Sequence, residues 1–418
     1  MKILHSSDWH IGRYLYDRKR YDEFEAFFDW LLKEIELQEI DVLLVAGDIF
    51  DTSVPNNRAQ EIYYRFLCNV AKSKCRHIVV IAGNHDSPSF ISAPKNILKS
   101  LDVHVVGTVT ENLEDEVIEL KNDQGDLELL VCAVPYLRDK DVRKVQAGES
   151  LETKSENLVQ GIKDHYAKVA EIAVTIRDDY LESAGKSGVE KHIPIIGMGH
   201  LFAAGGSPGE GVRDLYVGSL GYVSAETFPE EFDYVALGHL HIAQKVSSSE
   251  YIRYCGSPIP MGFGEAKQVK KIITLAYGVE DTKPAIQEIP IPNFQSLEKI
   301  AGDETVIKKR IEDLLSANSS IWLEVEYEGD LEGQSFREEI LELLSGSEIE
   351  LLRFKNKTVL KNYLSSLKVE EKLEDLSPME VFKRCLVTNE VEEGKQDLLL
   401  ASYSEVLKSI QEEDIKAE

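Results

Sequence analysis

Residues 2–10 read KILHSSDWH, an aliphatic run that is followed by an Asp and a His one residue apart. Runs of four to eight aliphatic or β-branched residues predict buried strands. Four more such runs also end in side chains of the kind that bind metals, at residues 41–51 (DVLLVAGDIFD), 77–86 (HIVVIAGNHD), 193–200 (IPIIGMGH) and 232–241 (FDYVALGHLH). Ligands of open α/β sheets collect beyond the carboxyl ends of the strands, so we expect these five motifs to meet at one rim.

The chemistry of the motifs is that of a divalent metal site. Carboxylate, amide oxygen and imidazole together suit hard to borderline ions such as Mn²⁺, Fe²⁺ or Zn²⁺. Seven ligands would hold two ions that share one carboxylate and would leave positions for water and substrate. Two ions about 3.5–4 Å apart can generate a hydroxide nucleophile and hold both the attacking and the leaving oxygens of a phosphoryl displacement.

Each motif alone is a weak signal, because turns select Gly and Asp in any case. The ordered set is far more specific, and five of the ten His lie in it. The remaining five have no such context, and we interpret them as structural or surface residues: His5, His77, His104, His165 and His192.

The motif set resembles that of the calcineurin-like metallophosphoesterase superfamily. The resemblance implies an α/β fold in which two sheets form a sandwich with helices outside. It also implies two divalent ions, with Mn²⁺ as the first choice. One ion would be held by Asp8, His10 and His241 and the other by Asn84, His200 and His239, with Asp48 bridging them.

The resemblance also assigns catalytic roles. His85 would lie beside the phosphate, where it either assists the leaving oxygen or orients the phosphate, and Asp86 would fix its ring. Asp51 departs from the archaeal and eukaryotic relatives, which commonly carry His at this position. It is expected to orient either a metal ligand or His85.

Longer matches at SSDWHIGR, GDIFDTSVPN, AGNHDSP and YCGSPIPMGFGE resemble bacterial nuclease subunits within that superfamily. They imply a double-strand exonuclease and single-strand or hairpin endonuclease that processes DNA ends in repair and recombination. The expected partners are DNA, a coiled-coil ATPase subunit and a second copy of the chain within a heterotetramer. A phosphatase or nucleotide phosphodiesterase on the same fold is the alternative, and a scaffold subunit without chemistry is a second one. The chain has no GxxxxGK[ST] motif, so any ATP dependence must enter through the partner.

Composition limits the possible functions. A chain of 418 residues predicts two or three domains. No apolar stretch is long enough to cross a bilayer and the scattered Cys suggest reduced thiols, so we expect a cytoplasmic, nucleoid-associated protein that binds no membrane. The net charge of −27 argues against a protein that grips DNA alone. Two basic clusters are candidates either for phosphate contact or for ordinary solvated surface: Arg13, Arg18, Lys19 and Arg20, and Arg138, Lys140, Arg143 and Lys144.

Three parts are predicted along the chain, with a composition change near residue 280. Residues 1–280 form the nuclease domain, with a core-facing helix at 22–38, one or two helices within 140–191 and a Gly-rich stretch at 203–211 that is either a loop over the site or a long connection. Residues 281–370 form a small α+β capping domain, which either positions DNA or only packs. Residues 371–418 form a helical segment that either binds the ATPase partner or packs on its own core. Its first helix begins in a capping box at Ser377, Pro378 and Glu380.

Overall fold

The structure is a computed structural model that describes residues 1–143, 150–184, 192–203, 223–278, 281–317, 320–329 and 333–357, together with single residues between 379 and 403. Two compact units make up the chain, Met1–Glu298 and Lys299–Glu418. None of the described helices has the length and hydropathy that a membrane crossing requires.

The first unit contains both strands and helices, and helices connect several of the strands in its first half. In chain order they are β1 (Lys2–Ser6), β2 (Tyr14–Leu15), β3 (Arg18–Lys19), α1 (Tyr21–Leu37), β4 (Val42–Ala46), α2 (Asn57–Val70), β5 (His77–Ile81), α3 (Pro88–Ser92), α4 (Lys95–Lys99), β6 (Val103–Val106), β7 (Val117–Lys121), β8 (Leu127–Ala133), α5 (Asp139–Val142), α6 (Leu151–Ala184), β9 (Ile195–His200), β10 (Tyr234–Gly238), β11 (Gln244–Lys245), β12 (Ile252–Tyr254), β13 (Lys271–Ala276) and β14 (Ala285–Pro290).

Two six-stranded sheets organise this unit, in the orders β14-β13-β1-β4-β5-β6 and β11-β12-β10-β9-β8-β7. The strands β1, β4, β5 and β6 are parallel to one another. The strands β8, β9, β10 and β12 are likewise parallel. Within each sheet the parallel strands therefore all end on the same side. This is what the prediction of a shared rim requires.

The sheets pack face to face, with helices on their outer faces. Successive side chains of a strand point to opposite faces. Leu44 of β4 accordingly shares a buried cluster with Val131 and Met198 of the other sheet, whereas its neighbour Leu43 packs with Phe27 of α1. The predicted α/β sandwich with outer helices describes this arrangement.

Both helical predictions for this unit are confirmed. The helix expected at 22–38 is α1, whose buried residues are Glu23, Phe24, Phe27, Phe28, Leu31 and Ile35. The segment 140–191 contains α5 and the 34-residue helix α6, and Tyr166 and Val169 of α6 join the core of the second sheet. The Gly-rich stretch at 203–211 lies outside the described residues, apart from Ala203.

The first unit extends past the boundary placed at residue 280. The strand β14 pairs with β13 as an antiparallel edge strand, and Pro290 lies opposite Lys271. Proline is tolerated on an edge strand because its missing N–H is not needed by a further strand. Pro290 therefore belongs to the first sheet, and the compact unit runs to Glu298.

The second unit is a small α+β structure. Its elements are β15 (Ser296–Gly302), α7 (Glu304–Ser316), β16 (Ile321–Tyr327), α8 (Gly333–Leu343) and β17 (Ile349–Asn356), with the three strands in one sheet. Ile307 and Ile340 of the helices pack with Leu323 of β16. Most of 371–418 lies outside the described residues, including Ser377 and Pro378 of the predicted capping box. The described residues there include Phe382 and Tyr403, whose rings stack with centroids 4.0 Å apart.

Candidate metal centre

The five motifs meet where the parallel strands of the two sheets end. Asp8 and His10 follow β1, Asp48 follows β4 and Asn84 follows β5, while His200 is the last residue of β9 and His239 follows β10. One ligand atom from each of Asp8, His10 and His241 lies within 4.8 Å of the others, and the same holds for Asp48, His200 and His239. The structure thus brings all seven predicted ligands to one site.

The carboxylate of Asp48 lies between the two groups. Its Oδ2 is 3.5 Å from Nε2 of His10 and 3.3 Å from Nε2 of His200. Nε2 of His200 is also 3.0 Å from Oδ1 of Asn84, which is 3.2 Å from Nδ1 of His239. Asp48 is therefore placed to be shared by two ions, with Asn84 on the side of His200 and His239.

Three of the predicted ligands lie on backbone in the left-handed conformation. Asp8, His10 and Asp48 have φ values of 51°, 47° and 50°. Such strained positions for residues other than Gly cluster at functional sites. The first two flank Trp9, which is completely buried, donates to Ser6 Oγ at 2.8 Å and packs its ring against Phe28 of α1 at 4.9 Å. The tryptophan thus anchors the turn that presents Asp8 and His10.

Close approach of the two sheets explains one of the motif glycines. A Cβ on Gly238 would lie 1.8 Å from the carbonyl oxygen of Ala46, which belongs to the other sheet. The same carbonyl lies 3.0 Å from Nδ1 of His200. Since a carbonyl can only accept, Nδ1 of His200 carries a hydrogen, and the other ring nitrogen, Nε2, faces Asp48 and Asn84.

Burial and charge set the protonation of the site. Burial lowers the pKa of His10 to about 4, and burial also lowers the pKa of His239 well below its ordinary value. Burial raises the pKa of Asp8 to about 6. Burial would likewise raise the pKa of Asp48, but the charge and hydrogen bond of His200 outweigh it and hold that pKa well below its usual range. Burial would lower the pKa of His200, but the charge of Asp48 outweighs it and raises that pKa to about 9. A metal ion bound at Nε2 of His200 would therefore displace a proton from that ring, whereas His10 and His239 are already neutral.

The donor atoms fit divalent ions. Nε2 of His10 and Nε2 of His241 lie only 3.2 Å apart. Two nitrogens that each lie about 2.0–2.1 Å from one ion come this close at ordinary coordination angles. Nε2 of His239 is buried, and it has no hydrogen-bond partner among the described residues. A buried nitrogen in that state is costly, and a cation nearby would relieve the cost.

His85 lies at the edge of this cluster, and the group that holds its ring is not the predicted one. Nδ1 of its ring lies 2.9 Å from the backbone carbonyl of Asp51, so Nδ1 is the donor and Nε2 is left for the site. Asp86 does not fix the ring. Its carboxylate instead accepts three backbone N–H groups, from Ile49, Phe50 and Gly83, and thereby joins the loops after β4 and β5.

Asp51 makes two separate sets of contacts, one through its side chain and one through its backbone. Its side chain lies 3.4 Å from Nδ1 of His10 and 2.9 Å from Nη1 of Arg13. Burial would raise the pKa of Asp51, but His10 and Arg13 outweigh this and lower it to about 2. Of the two roles left open by the sequence, the carboxylate supports orientation of a ligand, His10, while the backbone carbonyl orients His85.

A buried ion pair next to His241, formed by Glu265 and Lys270, was not predicted from the sequence. Oε1 of Glu265 is 3.6 Å from Nδ1 of His241, and Oε2 of the same carboxylate is 2.5 Å from Nζ of Lys270. Lys270 also donates to the carbonyl of His241 at 2.9 Å and to Ser257 at 3.0 Å. Glu265 ends the quoted stretch MGFGE, but nothing in its spacing connects it to His241.

The first basic cluster is partly committed to internal contacts. Arg13 pairs with Asp51, and Arg20 is buried, pairs with Glu23 and donates to the carbonyl of Pro260. In the second cluster Arg143 pairs with Asp139, and Lys144 lies outside the described residues. Arg13, Arg20 and Arg143 are therefore held by carboxylates of their own chain.

Comparison with known proteins agrees with this geometry. Residues 1–243 match the calcineurin-like phosphoesterase family, and residues 293–390 match the family described as the type 5 capsule protein repressor C-terminal domain. The chain is 32% identical over 414 residues to the SbcD subunit of the nuclease SbcCD from Escherichia coli (strain K12), which covers 98% of each chain. It is 32% identical over 286 residues to the SbcD protein of Bacillus subtilis (strain 168), covering 68% of this chain and 67% of that one.

Proposed function

The chain belongs to the calcineurin-like phosphoesterases and, within them, to the SbcD nuclease subunits, and from this premise we propose that it is a metal-dependent DNA nuclease. It would act as a double-strand exonuclease and a single-strand or hairpin endonuclease in DNA end processing, repair and recombination. The observation that carries the proposal is the position of Asp48, whose Oδ2 lies 3.5 Å from His10 and 3.3 Å from His200. A carboxylate so placed is what a pair of divalent ions requires.

The ligands fall into two sets around that carboxylate. Asp8, His10 and His241 would hold one ion, and Asn84, His200 and His239 the other. Divalent ions bound there would supply an activated water and offset the charge that develops on the phosphate. Oxygen and nitrogen donors without a thiolate suit Mn²⁺, which is our first choice of metal.

His85 is the proton donor of the proposal. Its Nδ1–H is held by the carbonyl of Asp51 and its backbone N–H donates to Oδ1 of Asp48 at 2.9 Å. The ring is therefore fixed in position relative to the bridging carboxylate, and its rim packs against His10 with ring centroids 4.8 Å apart. A proton held at Nε2 can be transferred to the 3′ oxygen as it leaves, or can hydrogen-bond to the phosphate.

The partners follow from the family and from charge. A chain with a net charge of −27 cannot neutralise many phosphates by itself, and DNA affinity comes largely from such neutralisation. We therefore propose that an SbcC-type coiled-coil ATPase supplies much of the DNA grip and docks on residues 371–418. The rings of Phe382 and Tyr403, two described residues of that segment, stack with centroids 4.0 Å apart. A homodimer within a heterotetramer completes the proposed assembly.

The test uses labelled blunt duplex and hairpin DNA, with and without Mn²⁺. We expect Mn²⁺-dependent cleavage by the unmodified chain, and its loss in Asp48→Ala and in His85→Ala. The matched control Asp123→Ala removes an exposed carboxylate and should cleave normally. His85→Ala should keep its bound metal, because the proposal gives His85 no role as a ligand.

Two outcomes would redirect the proposal. Full cleavage by Asp48→Ala, purified free of host nuclease, would refute this site as the nuclease centre. Turnover of a nitrophenyl phosphate monoester or diester without any cleavage of DNA, even with an SbcC-type ATPase added, would favour a phosphatase or nucleotide phosphodiesterase instead.

A further inference from the structure

A second group of metal-type side chains lies at the opposite end of the first sheet. His77 is the first residue of β5, Asp102 immediately precedes β6 and His104 lies within β6. Asn84 of the metal centre follows the other end of β5. The two groups are therefore separated by the length of that strand, and the sequence pattern had assigned both of these histidines to structural or surface positions.

Strand register brings the three side chains together. The strands β5 and β6 are parallel, with Ile78 opposite Val103 and Val79 opposite His104. Because side chains alternate along a strand, residue 77 points to the same face as residue 79. One ligand atom from each of His77, Asp102 and His104 lies within 4.8 Å of the other two. The two imidazole centroids are 6.3 Å apart.

The backbone holds the carboxylate in place. Asp102 has a left-handed conformation, with φ of 55°. Its N–H donates to the carbonyl of Lys99 at 3.1 Å, and its own carbonyl accepts from the N–H of Ile78 at 3.0 Å. These two contacts fix Asp102 between the end of α4 and the start of β5, so its position does not depend on a flexible loop.

The ring of His77 has one nitrogen with a free lone pair, as a metal ligand requires. Nε2 of His77 lies 2.8 Å from the carbonyl of Lys121 in the other sheet. Since that oxygen can only accept, Nε2 carries the hydrogen and the neutral ring keeps its lone pair on Nδ1. Nδ1 is buried, and among the described residues it has no hydrogen-bond partner. An imidazole that donates to a backbone carbonyl through one nitrogen and offers the other is the usual arrangement of a metal-bound His.

We propose that His77, Asp102 and His104 form a separate binding site for one divalent transition-metal ion, with Zn²⁺ as the probe. Two imidazoles and a carboxylate match the ligands that Zn²⁺ takes in proteins, with a fourth position open to water. The charge of the neighbouring Arg76 is balanced by Asp41 and Glu128. The ion would join the edge strand β6 to β5, and through the contact of His77 with Lys121 it would join the first sheet to β7.

The test compares zinc binding by the full chain and by variants that leave the metal centre intact. Equilibrium dialysis with elemental analysis should show one Zn²⁺ fewer per chain in His104→Ala than in the unmodified chain. The matched control is His192→Ala, which removes a partly buried His outside the group and should bind as much zinc as the unmodified chain. Zinc should also raise the unfolding temperature less in His104→Ala than in the control.

Crystals grown with zinc give a direct second reading. Anomalous scattering at the zinc edge should place an ion among His77, Asp102 and His104. Should His104→Ala not fold, as judged by circular dichroism without metal, Asp102→Asn tests the same site without a change of volume. Equal zinc content in the folded variant and the unmodified chain, or anomalous peaks confined to the Asp48 centre, would overturn the proposal.

Discussion

The ion pair of Glu265 and Lys270 predicts a large effect from one substitution, Lys270→Met. The lysine is 7% exposed and the glutamate is fully buried. Methionine replaces most of the aliphatic stem but removes the charge that Nζ presents to Oε2 of Glu265, 2.5 Å away. The substitution therefore leaves a carboxylate buried without its cation.

The magnitude follows from that burial. Removing one partner of a buried ion pair destabilises a protein by about 3–5 kcal/mol. The adjacent Lys271 provides a matched control. It pairs with Glu288 at 2.6 Å, but the two side chains are 34% and 39% exposed, and a solvent-exposed pair contributes about 0–1 kcal/mol. Lys271→Met should therefore change the free energy of unfolding far less than Lys270→Met.

Urea unfolding of the metal-free chain measures this difference. The three Trp are Trp9, Trp30 and Trp322, so a Trp322→Phe background makes tryptophan fluorescence report on the first unit alone. Glu265→Gln combined with Lys270→Met should recover part of the loss, because the remaining amide carries no unpaired charge. Equal destabilisation by Lys270→Met and Lys271→Met would refute the reasoning.

Three further predictions concern the same unit and the C-terminal segment. Asp51→Asn should weaken metal binding about 10–100-fold, as loss of a group that orients a ligand commonly does, whereas Arg13→Met should weaken it less; calorimetric titration with Mn²⁺ decides this. Gly238→Ala should lower the unfolding temperature strongly, since its Cβ would meet the carbonyl of Ala46 at 1.8 Å, and a normal melting curve would contradict the close approach of the sheets. A chain that ends at residue 371 should keep Mn²⁺-dependent cleavage but lose binding to an SbcC-type ATPase, and pull-down with unchanged affinity would contradict that role.

The grouping of the seven metal-type side chains could be predicted from the sequence because it depends on local order. Each motif follows an aliphatic run, and parallel strands of one sheet end on the same side, so adjacency in space follows from the strand pattern. His10 and His200 needed no knowledge of loops or register. The resemblance to the calcineurin-like metallophosphoesterases then supplied the proposed division of these side chains between two ions.

Contacts between distant and irregular segments could not be predicted. Glu265 lies in the short 3-10 turn Phe263–Glu265 and meets His241 only through the fold. The carbonyl of Asp51 orients His85, and a carbonyl leaves no trace in residue type. His77 and His104 come together only through the register of β5 and β6, which alternation within a single strand does not specify.

The strained residues of the metal centre hold one another in place. Positive φ at residues other than Gly costs on the order of 1–3 kcal/mol each and persists only where the surroundings enforce it. Asp8 N–H donates to the carbonyl of Gly47 at 3.0 Å, and His10 N–H donates to the carbonyl of Asp48 at 2.9 Å. His239, with φ of 107°, donates its N–H to Oδ1 of Asp8 at 2.8 Å. Each strained turn is thus fixed by a neighbouring motif, two within the first sheet and one across the sandwich. Backbone contacts between the motifs therefore fix the turns that carry these side chains.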